Sequence, residues 1–75
     1  MVQKLPSLRP QQIIAALKKC GLTATRQTGS HVVLHKPGLP RPVVIARHNK
    51  ALAPTALAHL LTQADVTAEA FLSKL

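Results

Sequence analysis

Carboxylates are almost missing from this chain. The only two are Asp65 and Glu69, and residues 1–64 contain neither Asp nor Glu. The sequence therefore argues against a glycosidase pair, an aspartic dyad, a two-metal nuclease and a carboxylate cage for Mg²⁺ or Ca²⁺. Aromatics are as scarce. Phe71 stands alone, with no Trp or Tyr. That argues against binding unpaired bases on an aromatic platform. Cys20 is the single cysteine, so neither a disulfide framework nor a cysteine-rich metal site can form. No apolar run is long enough to span a bilayer. The first ten residues, MVQKLPSLRP, lack the apolar core of a secretory signal. A soluble, cytoplasmic protein without a membrane partner is expected.

What is present is positive charge. Ten Lys and Arg face the two carboxylates, giving a net charge of +8 on 75 residues. Such a balance suggests a polyanionic partner. The length allows one domain, 1–75, with one core. The hydrophobic fraction of 47% is almost wholly aliphatic. Any catalysis must run on His, Lys, Arg, Ser, Thr or backbone groups.

Along the chain, residues 1–9 read as a mobile basic lead-in. Pro10 suits the first position of a helix, where its missing N–H costs nothing. In 10-PQQIIAALKKCG-21, Ile13, Leu17 and Cys20 fall on one helical face. Lys18 and Lys19 complement the negative end of the helix dipole, and Gly21 can take the left-handed conformation that stops the helix. The β-branched run 22-LTATRQ-27 predicts a strand and Thr28-Gly29 a turn. A second strand follows at 30–35, a proline-rich loop at 36–42 and a third strand at 43–46. Short connections predict an antiparallel meander. After a basic polar loop at 47–53, Pro54 opens a second helix over 54–64, with Leu57, Leu60, Leu61 and Ala64 as its buried stripe. Asp65 is a plausible left-handed cap. Thr67 caps a last helix at 68–75, with Phe71, Leu72 and Leu75 packing inward. The order α-β-β-β-α-α predicts an α+β fold: one three-stranded antiparallel sheet with helices on one face.

Histidine is the side chain that stands out against this background. In 28-TGSHVVLH-35, strand alternation puts His31, Val33 and His35 on one face and Ser30, Val32 and Leu34 on the other. If the helices cover Val32 and Leu34, both histidines lie on the open side. His31 reads equally well as an exposed polar residue or as a functional one. His35, next to Lys36-Pro37, reads as the edge of the loop. His48, in 47-RHNK-50, is a solvated loop residue, a second proton donor or a phosphate contact. His59 lies off the leucine stripe and reads as inert. Four histidines could suggest zinc, but no pair at i, i+4 lies on a helix and no cysteine or carboxylate completes a set. No metal and no cofactor is expected. Arg26, Lys36, Arg47 and Lys50, with other scattered cations, read as phosphate contacts.

The order of short phrases resembles the HicA-like (YcfA-like) toxins of HicA–HicB toxin–antitoxin pairs. Four phrases carry the resemblance: "LKKCGL" at the end of the first helix, "TATRQTGSH" with its G-S-H, "VVIARH", and the tail "LAPTALAHLLTQADVTAEAFL". It covers the chain from about residue 5 to the end. Each phrase is weak alone, and their order and spacing together are fairly specific. The resemblance implies a double-stranded-RNA-binding-like fold, endoribonuclease activity on mRNA and a HicB-like antitoxin partner. It implies that His31, the histidine of G-S-H, is catalytic, that Gly29 and Ser30 shape its surroundings, and that His48 is a second histidine of the site. The chain departs from the family pattern at Leu22, Val32, 54-PTA-56 and Asp65; at Asp65 the family has a glycine.

The lack of carboxylates fits this reading. RNA carries its own nucleophile, so a histidine acting on the ribose 2′-OH can cleave it without a metal. Imidazole is the natural group for that proton transfer near neutral pH. DNA lacks the 2′-OH, so RNA is the expected substrate. The rival expectation is a non-catalytic RNA-binding module of the same fold, in which His31 is one more backbone contact.

Overall fold

The computed structural model describes residues 5–47 and 51–75. The elements are α1 (Pro10–Lys19), β1 (Thr23–Thr28), β2 (His31–His35), β3 (Val43–Ala46), α2 (Pro54–Gln63) and α3 (Ala68–Leu72). This is the expected α+β order. The strands form one antiparallel sheet, β1-β2-β3, with β2 in the centre.

Both longer helices end in the same way. At the end of α1, Leu22 N–H donates to the Leu17 carbonyl at 3.1 Å and Gly21 N–H to Lys18 at 3.2 Å. At the end of α2, Val66 N–H donates to Leu61 at 3.0 Å and Asp65 N–H to Thr62 at 3.2 Å. Each pair of bonds is a Schellman cap, which needs a left-handed residue just past the helix. Gly21 supplies it with φ 103° and Asp65 with φ 55°. The caps turn the chain sharply, and the next residue of each, Leu22 or Val66, joins or packs on the core. Thr67 caps α3 as expected, its Oγ1 accepting from Ala70 N–H at 3.1 Å.

The core lies on one face of the sheet. Val32 and Leu34 from β2 and Val43 and Ile45 from β3 meet Ile13, Leu17, Leu57, Leu61 and Phe71 from the helices. Leu57, Leu60, Leu61 and Ala64 form the buried stripe of α2, as their spacing predicted. α1 packs on β3 and α3, and α3 on α2. β1 is left at the edge, and all six of its residues are exposed.

Three local expectations change. α3 stops at Leu72, and Leu75 is 54% exposed, so Leu75 does not pack: one and a half turns already bury Phe71. The lead-in contributes a core residue. Leu8 is buried, its carbonyl accepts from Leu52 N–H at 2.7 Å, and Ser7 Oγ donates to the Leu52 carbonyl at 2.9 Å. The β1–β2 turn falls at Gly29 and Ser30, one residue later than Thr28-Gly29. Gly29, with φ 55°, is the residue that a two-residue hairpin wants in its first position.

The one-sided core gives a direct check. Leu34→Ala, on the covered face, will cost about 2–5 kcal/mol. Val44→Thr, on the open face of the same sheet, will change stability by less than about 0.5 kcal/mol. Urea denaturation followed by circular dichroism reads both, and similar losses would contradict the assignment of faces.

Candidate active site at the hairpin end of the sheet

His31 is the first residue of β2, directly after the Gly29 and Ser30 turn. Its orientation follows from its neighbour. Val32 is 4% exposed beneath the helices, so alternation sends His31 to the opposite face, where it is exposed. The register fills in the rest of that face. Thr28 lies opposite His31 on β1, and Ala46 lies opposite it on β3. Arg26 lies opposite Val33, on the same face and diagonal to His31. Diagonal neighbours are roughly 7–8 Å apart, within reach of a long side chain.

Arg47 comes to the same end of the sheet from the other side. Its backbone N–H donates to the Ser30 carbonyl, which continues the β2–β3 ladder past Ala46. Five of the expected site residues therefore gather at one end of the sheet: Arg26, Gly29, Ser30, His31 and Arg47. Lys36 does not join them. It follows the other end of β2, five residues from His31, or roughly 16 Å along an extended chain. Its ammonium donates to the Asp65 carbonyl at 3.0 Å, which ties the strand to the α2–α3 turn. His48 and Lys50 lie outside the described residues.

The other histidines have plainer tasks. His35 is half-buried, and its Nε2 lies 3.2 Å from the Leu39 carbonyl. A carbonyl only accepts, so Nε2 carries the proton. This bond holds the proline-rich loop where Leu39 enters the core. His59 is exposed on α2, off the leucine stripe. Among the described residues no three of His, Cys, Asp and Glu could hold a metal ion together. Among them, too, no helix is long and apolar enough to cross a membrane.

The sequence predicts Thr28 only as part of the turn. It is the last residue of β1, and its exposed side chain shares the face of His31. The signal was available, because glycine as the first residue of a two-residue loop moves Thr28 into the strand.

Compared with models of protein families, residues 10–66 match the one described as the HicA toxin of bacterial toxin–antitoxin systems. The match spans most of the chain, and the chain belongs to that family. No curated protein matches it.

The division of labour between the two strand histidines is measurable. His35→Ala removes a half-buried hydrogen bond and will cost about 1 kcal/mol. His31→Ala removes an exposed ring and will change stability by less than about 0.5 kcal/mol. If urea melts gave the larger loss to His31→Ala, the ring would be structural and the site would need another centre.

Proposed function

We propose that this member of the HicA toxin family is a metal-independent endoribonuclease that cleaves mRNA, with His31 as its general acid/base. Family membership makes the chain the toxin of a toxin–antitoxin system and implies an antitoxin partner. The observation that carries the rest is the placement of His31. It is exposed at the end of the central strand, with Arg26 diagonal to it on the same face and Arg47 tied beside it.

The chemistry uses a group that RNA brings with it. The His31 imidazole takes the proton of the ribose 2′-OH, and the 2′-oxygen forms a bond to the adjacent phosphorus. The bond from phosphorus to the 5′-oxygen of the next nucleotide breaks, and that oxygen leaves with a proton. The products are a 2′,3′-cyclic phosphate and a free 5′-hydroxyl. Charge grows on the non-bridging phosphate oxygens during attack, and guanidinium groups fixed nearby stabilise it. Arg26, diagonal to His31 on the open face, has this role in the reading, and Arg47 contacts the RNA from beside the hairpin. His48 is a candidate second proton-transfer group in the same reaction. Gly29 and Ser30 make a narrow hairpin tip that leaves a strand free to approach: a Cβ added at Gly29 would meet nothing within 4 Å.

The partner follows from charge. A HicB-like antitoxin carrying acidic groups would inhibit by covering the open face around His31. Cleavage of mRNA in the cytoplasm would block translation.

Three outcomes test this reading. Loss of a general acid/base typically costs roughly 10²–10⁴ in rate. His31→Ala will therefore lose RNA cleavage by about that factor while staying folded and still binding RNA, whereas His59→Ala will cleave like the wild type. Undiminished cleavage by His31→Ala would leave the protein as an RNA-binding module or move the catalytic role to His48. Cleavage will also persist in EDTA, and DNA of the same sequence will stay intact. An activity lost on chelation and restored by Mg²⁺ would overturn the histidine mechanism. Antitoxin affinity will fall as salt rises from 50 to 500 mM, because screening weakens attraction between unlike charges; a salt-independent affinity would rule out charge as the basis of recognition.

A further inference from the structure

The helices leave part of the sheet's inner face uncovered. β1 pairs with β2, yet its inward-facing residues Ala24 and Gln27 are exposed. Between β1 and α1 runs an open cleft of about 270 Å³. Its floor is apolar: Ile14 and Ala15 from α1, Ala24 from β1 and Val32 from β2. Its rim is polar, with the amides of Gln11 and Gln27 and the cations Lys18 and Arg47. Acidic side chains are absent from the lining.

A local irregularity helps build this floor. The β1–β2 register shifts between Ala24 and Arg26, leaving Thr25 as the extra residue. Its Oγ1 donates to the Val33 carbonyl at 3.4 Å. The bulge puts Ala24, rather than Thr25, opposite Leu34 on the inner face. A methyl group lines the cleft where a hydroxyl would otherwise stand.

We propose that this cleft is a nucleotide subsite of the RNA, taking one unpaired nucleotide next to those at His31. The inference rests on the ribonuclease reading and extends it to a part of the surface away from the reacting phosphate. Four features favour a nucleotide. At about 270 Å³ the cleft lies just under the usual range of ligand pockets, which limits it to a single small group. A base has apolar faces for the floor and polar edges for Gln11 and Gln27. Lys18 and Arg47 supply the countercharge for the backbone phosphates on either side. Arg47 also connects the two regions, since its N–H is bonded to Ser30 next to His31 while its side chain lines the cleft. The strand passes over the exposed Gly29 and Ser30 tip from the open face to the inner one. A duplex cannot bend so tightly round a two-residue turn, so the RNA at this site is single-stranded.

Other depressions fit the role less well. A larger groove of about 610 Å³ beside the proline-rich loop has Arg41 as its one cation among the described residues, with Asp65 on its wall. A groove of about 400 Å³ carries Lys19, Lys36 and Lys74, but Lys36 already donates to the Asp65 carbonyl. It also lies at the end of β2 away from His31.

Binding can be read apart from cleavage by using His31→Ala protein and a short, unstructured, fluorescein-labelled RNA. Adding Lys18→Ala will weaken binding roughly tenfold and lower the slope of log affinity against log salt by about 0.7. Adding Lys74→Ala, in the far groove, will do neither. In the wild-type background, Gln27→Ala will cut RNA with a broader distribution of sites, as expected when a base-edge contact is lost. An equal effect of Lys18→Ala and Lys74→Ala would overturn the subsite, as would Lys18→Ala weakening antitoxin binding and not RNA binding. Wild-type protein that binds RNA through Lys18 but cleaves none would leave the subsite standing and remove the ribonuclease reading. Protein that neither binds nor cleaves RNA would remove both.

Discussion

Burial of Val32 and Leu34 beneath the helices decides where every residue of the candidate site points. Strand side chains alternate, so a slip of one residue would turn all of β2 over. With Val32 at 4% exposure and Leu34 at 0%, such a slip would put His31 and His35 into an aliphatic core. Desolvating imidazoles without partners is costly. The preference for burying Val and Leu thus holds the exposed His31 on the open face. On the proposed function, the site depends on packing against the opposite face of its own sheet.

Several parts of this arrangement are legible in the sequence because they depend on neighbours in the chain. The stripe of Leu57, Leu60, Leu61 and Ala64 is a matter of helical period. The caps at Gly21 and Asp65 are matters of local backbone, and both residues adopt positive φ. Asp65 stands where the family pattern has glycine, and the same pair of Schellman bonds forms around it. The alternation in 30-SHVVLH-35 announces which side of β2 is buried once one face is assigned to the helices. The reach of these signals is a few residues, and even within it the β1–β2 turn falls one residue later than the sequence predicts.

What was not legible depends on contacts between distant segments. Nothing near Leu8 shows that it will meet Leu52, and nothing in 68–75 shows that Phe71 completes the core before Leu75 can reach it. The extra residue at Thr25 is visible only when the partner strand is in place. Lys36 illustrates the same limit. By composition it is one more cation of a basic protein, whereas the fold places it at the far end of β2 against the Asp65 carbonyl. Charge counted along a sequence does not say which cations share a face.

The scarcity of acidic residues links stability to function. A domain with a charge of +8 repels itself and receives little relief from internal ion pairs. Its stability must come from the aliphatic core and the backbone caps, and its ten Lys and Arg so outnumber the two carboxylates that most of the charge is left for an external anion. Binding a polyanion relieves the repulsion and so favours the folded state as well as the complex. On the proposed function, an acidic antitoxin and an RNA strand would offer the same relief and would draw on overlapping sets of cations. Arg47 is central to that competition, because its backbone is fixed at the hairpin end and its side chain lines the cleft. A partner that covered only His31 would leave the cleft's cations available to RNA. On the proposed function, one that also occupied the cleft would cover both the His31 imidazole and the cations assigned to the RNA, and inhibition would then gain from excluding the substrate as well as from blocking the chemistry.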